Sequence, residues 1–94
     1  MNLTDQLKLY VGAYFGVQAM DEYELKVYVL KEIKEYIDGF ISENDIENSE
    51  EIIEYVKNNV SLKVKLQDSL ILLNQINGSM ELILLIKQKI KELS

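Results

Sequence analysis

The chain has no cysteine, histidine, arginine, proline or tryptophan, and only four glycines among its 94 residues. Each absence removes something. Without cysteine there is no disulfide and no thiolate metal ligand, and nothing points to an oxidising compartment. Without histidine or arginine, the commonest general base, the commonest transition-metal ligand and the bidentate phosphate clamp are missing. Any catalysis would have to rest on Asp, Glu, Lys, Tyr and Ser alone, and no arrangement of these along the sequence fits the usual logic of an active site. The expectation is a protein that is not an enzyme and carries no cofactor and no metal. The lack of proline leaves few helix breakers, and the abundance of Leu, Ile, Lys and Glu predicts an all-α fold.

Long apolar runs are absent too. Asn74, Gln75, Asn77 and Glu81 interrupt the best candidate, so nothing reaches the roughly 18 to 20 residues needed to span a bilayer. The first residues lack the basic stretch and cleavage pattern of a secretory signal. This predicts a cytoplasmic protein with no membrane partner, folded as one domain over residues 1–94. A chain of this length buries roughly 60 to 70% of its unfolded surface, which is enough for one core.

What charge there is leans one way. Sixteen acids against ten lysines give a formal net charge of −6. From Met1 to Met20 the chain is neutral, from Asp21 to Glu54 it holds 12 acids against three lysines, and from Tyr55 to Ser94 six lysines against three acids. Nucleic-acid binding needs the opposite sign over a face, so DNA and RNA are not expected as partners.

Apolar spacing divides the chain into five helical segments, at about 4 to 18, 22 to 41, 49 to 58, 61 to 76 and 80 to 93. The first is capped by Thr4 or Asn2 and interrupted by Gly12 and Gly16. Their four-residue spacing puts both on one side, where a second helix could approach closely, although Gly16 also reads as fraying toward the next loop. The second segment opens with Asp21 and Glu24 at capping-box spacing. Its stripe is Tyr23, Val27, Leu30, Ile33, Ile37 and Ile41, with Glu22 and Lys26 as a favourable pair. Gly39 and the polar residues 42–45 end it. Asn48 or Ser49 caps the third. Residues 60–66 also alternate as a strand would, and a break at Asn58 and Asn59 keeps the two apolar stripes in phase. Short connections suit an up-and-down bundle.

The C-terminal third, Ser61 to Leu93, has 16 of its 33 residues as Val, Leu, Ile or Met. Two readings compete at Asn77-Gly78-Ser79. Asn-Gly between apolar runs is a β-hairpin signal, which would make the fold α+β. Leu-rich composition and the helical recurrence of Leu62, Leu66, Leu70 and Leu73 favour a helical hairpin, with Asn77 and Gly78 ending one helix and Ser79 capping the next. The helical hairpin is preferred. Its Leu70 to Leu73 and Leu82 to Ile86 runs cover most of a helix circumference, so the helix is either central to the monomer or covered by another chain.

Three stretches invite functional readings. Residues 43–54 place oxygen side chains at the spacing of a helix-loop-helix calcium site, but Glu43 stands where that site has Asp, Asn48 where it needs glycine and Glu50 where it has an apolar residue. The same stretch offers Glu43, Asp45, Glu47, Glu50, Glu51 and Glu54 as a line of carboxylates that imitates nucleic-acid phosphates before a basic groove. Lys87, Lys89 and Lys91 suggest a membrane or phosphate contact, although cations near a helix C-terminus suit the dipole alone. A helix-turn-helix DNA-binding regulator lacks the recognition surface it would need. The leading expectation is a non-catalytic module that binds another protein as a small regulator, inhibitor or immunity-type protein, plausibly as a homodimer. Its contact face would be apolar, through Leu72, Leu82, Leu85, Ile86, Tyr28 and Tyr36. The acidic mimic is the alternative, followed by the DNA-binding regulator.

Overall fold

The helix at the centre of the molecule is the first, not the last. In the computed structural model, which describes residues 1–21 and 23–94 and all of their side chains but that of Tyr23, α1 (Leu3–Gln18) packs against three others. These are α2 (Tyr23–Glu43), α3 (Ser49–Asn59) and, most extensively, α4 (Leu62–Gln75); α5 (Met80–Leu93) then packs on α4. No strand is present among the described residues. The fold is an all-α bundle with a radius of gyration of 12.6 Å, close to the ~12 Å of a compact chain of this length. Within it α1 and α4, distant in sequence, share the largest contact.

The reason lies in the composition of α1. Leu7, Leu9, Tyr10, Val11, Gly12, Ala13, Gly16 and Val17 are all buried, and they lie all round the helix rather than on one stripe. A helix apolar on every side belongs inside. Gly12 and Gly16 make the seam with α4. A side chain at Gly16 would collide with the Lys65 carbonyl and the Ser69 hydroxyl, and one at Gly12 with the Asp68 carboxylate. Gly16 is therefore a close-approach residue and not a frayed end. Ser69, fully buried, places its Oγ 3.0 Å from the Ala13 carbonyl oxygen and 2.9 Å from that of Lys65, so its hydroxyl hydrogen-bonds within the seam.

The helix ends follow local chemistry. Asn2 caps α1 by accepting from the Asp5 N–H at 2.8 Å, and Ser61 and Ser79 cap α4 and α5 in the same way. Asn48 occupies the cap position of α3 without a side-chain hydrogen bond. α2 begins at Tyr23, two residues after the expected cap Asp21; the position just before it, Glu22, and with it the Glu22 to Lys26 pair, and the Tyr23 side chain lie outside the described residues. Residues 62–66 are helical, and the turn at Asn77-Gly78-Ser79 joins two helices, so neither β alternative forms. There Asn77 takes the left-handed conformation (φ 52°), and the Gly78 N–H donates to the Leu73 carbonyl at 2.7 Å, the long bond of a Schellman motif. Gly78 is needed for space, since a Cβ would sit 2.6 Å from the Leu73 side chain.

Two features of α2 differ from the sequence expectation. Val27 is exposed and Val29 buried, so the inward stripe begins at Val29 and continues through Ile33 and Ile37. The helix also runs through Gly39 to Glu43, where Asp45 (φ 49°) and the bond from the Ile46 N–H to the Ile41 carbonyl form a second Schellman end. Ile41 and Ile46, both half-buried, supply the apolar contact that accompanies it. Gly39 sits inside a regular helix with nothing within 4 Å of where its Cβ would be. Gly39→Ala is therefore expected to stabilise the fold by about 0.5 to 1 kcal/mol, raising the melting midpoint by roughly 4 °C. A lower midpoint in a thermal melt would contradict this placement.

Candidate functional site

The residues expected to form an apolar contact face do not stay together. Leu72, Leu82 and Ile86 are fully buried in the core, so they are unavailable to a partner in this fold. The apolar surplus of the C-terminal third goes mainly inward: α4 lies between α1 and α5, and the Leu82 to Ile86 run leaves only Leu84 exposed, with Leu85 half-buried. Ile71, Leu84 and Met80 remain as exposed apolar residues of this hairpin, besides Leu62, Val64 and Leu93 near the outer ends of its helices. Tyr28 is 80% exposed and lines a shallow depression with Glu24, Leu25 and Glu81. Tyr36 is part of an aromatic group, in which the Tyr10 ring stands edge-to-face against Tyr36 at 5.0 Å and Phe40 at 5.1 Å. Burial and the neighbouring Tyr36 push the Tyr10 phenol above its usual range.

The acids of residues 43–54 behave differently. Glu43, Asp45, Glu47, Glu50, Glu51 and Glu54 are all exposed. Only residues 44–48 lie between α2 and α3, Asp45 serves as the left-handed end of α2, and Ser49, Glu51 and Glu54, the last three ligand positions of a calcium loop, lie on α3. Among the described residues no group of three or more His, Cys, Asp or Glu could hold a metal. The only ion pair among them is Lys34 with Asp38, at 3.4 Å on the surface of α2. The acidic belt thus covers α2, the connection and α3 as a largely unneutralised surface.

Between these two helices a cleft of about 170 Å³ opens over α1. It is lined by Val11, Tyr14, Phe15, Ile37 and Ile53, with Lys34 and Asp38 at its edge. Small-molecule sites usually run from about 300 Å³ upward, so this one has room for a single apolar side chain. Lys8 lies 4.8 Å from the Tyr55 ring and Lys65 5.7 Å from the Phe15 ring, which ties both lysines to aromatic faces.

One residue with unusual chemistry has no signature in the motifs of the sequence. Asp68 lies half-buried on α4 against Gly12, and burial alone pushes its carboxyl up to about 6. A perturbed carboxyl can mark a catalytic acid or base, but it needs a partner group, and no charged neighbour contributes to this shift. Glycine at position 12 is the signal that could have found it, because the seam it opens is where the carboxylate rests. The folded state holds the Asp68 proton up to about pH 6, whereas the unfolded chain releases it near ~3.9. The contribution of Asp68 is therefore most favourable below about pH 4 and is lost as pH rises toward 6. Asp68→Asn is expected to be more stable than the parent at pH 7 and to lose that advantage at low pH. Thermal melts across this range check it, and an asparagine variant less stable at pH 7 would contradict it.

Comparison with protein-family models, curated proteins and solved structures finds no match to this chain. Among the described residues, no helix is long and apolar enough to cross a membrane.

Proposed function

We propose that this chain is a non-catalytic protein-binding module, a small regulator or inhibitor, which engages a basic partner through the acidic surface of α2 and α3. One observation carries the reading: the apolar surplus of the chain is largely spent on its own core, while the acids from Glu43 to Glu54 stand exposed and without lysine partners. Electrostatic complementarity of this kind speeds encounter and selects partners by sign. The carboxylate line keeps open the idea that the basic surface normally receives nucleic-acid phosphates. The homodimer loses its main motive once Leu72, Leu82 and Ile86 are core, and we take the working unit to be one chain. Light scattering is expected at the mass of a single chain; a mass of two chains would restore the dimer.

The test of the binding reading is capture of partners from an extract of the producing cells on the immobilised chain. A specific partner is expected at low ionic strength, lost at about 0.5 M salt and lost with the six acids of residues 43–54 changed to glutamine. Salt-insensitive capture that survives the neutralised variant would overturn it.

A further inference from the structure

On the face of α2 turned away from Lys34, a surface depression of about 310 Å³ lies over Gly39. Tyr10, Tyr36 and Phe40 form its aromatic side, and Glu35 and Glu43, one turn to either side of Gly39, form its acidic side. Helical spacing puts Glu32 on the same face, two turns before Gly39. Among the described residues neither Glu35 nor Glu43 is in an ion pair. Lys34 is on the other flank of the helix, beside the apolar cleft and paired with Asp38.

The glycine itself is unexplained by packing. A glycine within a helix is destabilising, and elsewhere in this chain Gly12, Gly16 and Gly78 each have neighbours that a Cβ would strike. Gly39 has none. What its missing side chain does is keep the floor of the depression open between two carboxylates and beside three aromatic rings.

We propose that the Gly39 depression is a seat for one cationic side chain, a lysine or arginine, presented by the basic partner protein. The aromatic rings attract a cation through their quadrupoles, and Glu35 and Glu43, each about 6 Å along the helix from Gly39, can lean in to pair with it. This rests on the binding reading above and gives its acidic surface one anchoring point. An arginine or lysine held there is a hot spot of the kind that dominates an interface, surrounded by acids that steer the approach.

The experiment is amide NMR of the full chain titrated with N-acetyl-arginine amide, with the neutral N-acetyl-citrulline amide as control. Shifts are expected to concentrate on Tyr36, Gly39, Phe40 and Tyr10, and to be absent with citrulline. Gly39→Leu, which fills the depression, and the exposed pair Glu35→Gln with Glu43→Gln are each expected to weaken the probe by roughly fivefold. Shifts spread evenly over the acids of residues 45–54, equal shifts with citrulline, or affinity unchanged in both variants would overturn the site. The two proposals fail separately. A partner lost with salt and with the neutralised acids, yet bound equally by Gly39→Leu, removes the seat and leaves the binding reading. Localised arginine shifts without any salt-sensitive partner leave the seat and remove the reading.

Discussion

Gly16→Ala is expected to cost the isolated chain about 3 kcal/mol, a large part of the stability of a small domain. The added methyl group would meet main-chain atoms, the carbonyl oxygen of Lys65 and its carbon at 2.8 Å, together with the Ser69 hydroxyl. Main chain in a helix cannot step aside as a side chain can. Relief requires α4 to move away from α1, which loosens the largest helix contact in the molecule and stretches the bond from Ser69 to the Ala13 carbonyl. The gain in helix propensity, up to about 1 kcal/mol, offsets only part of that. Gly12→Ala is the internal control. The nearest atoms it meets belong to the side chain of Asp68, which can rotate outward, so its cost should be clearly smaller. Urea unfolding with matched slopes measures both, and equal stability of Gly16→Ala and the parent would mean that α1 and α4 do not meet at this distance.

Leu82→Ala is expected to lose about 3 kcal/mol, within the range for deleting a fully buried leucine. Leu72→Ala should behave alike. The experiment decides between two roles for these residues, because a leucine held at the surface for a partner could be truncated with a change within about 0.5 kcal/mol. Loss of stability in the isolated chain is the signature of core. Unchanged stability would return them to a contact face.

The spacing of apolar residues and the caps made the five helices and their connections legible, and Leu-rich composition decided the turn at Asn77 against a β-hairpin. Which helix lies at the centre was harder to read. The Leu82 to Ile86 run drew attention to the C-terminal hairpin because it is the densest apolar stretch, yet α1 holds the more telling pattern. Between Leu7 and Val17 its only charge is Lys8, and its apolar residues leave no polar face. The neutrality of the first twenty residues, set beside the acidic belt, was the available sign. The two glycines of α1 carried the rest, but whether Gly16 frays or packs depends on what faces it, and that information belongs to α4.

The candidate site was legible in charge and not in geometry. Exposure of Glu43 to Glu54 follows from a run of acids with no lysine among them. The depression at Gly39 could not be read, because a glycine three residues before a polar stretch looks like part of a helix end, and only the extension of α2 to Glu43 brings the second carboxylate onto the same helix face. The aromatic group depends on Tyr10 coming from α1 to stand between Tyr36 and Phe40, a tertiary contact with no local signature.

The partner is expected to be held by the acidic surface of α2 and α3 and not by the apolar hairpin of α4 and α5. Calorimetric titration of the captured partner tests it most directly, comparing the parent with a variant neutralised at the six acids of residues 43–54 and with Ile71→Lys and Leu84→Lys on the exposed hairpin surface. Neutralisation is expected to abolish binding, and the lysine variants are expected to bind as the parent does. Binding that survives neutralisation and is lost with Ile71→Lys or Leu84→Lys would contradict it.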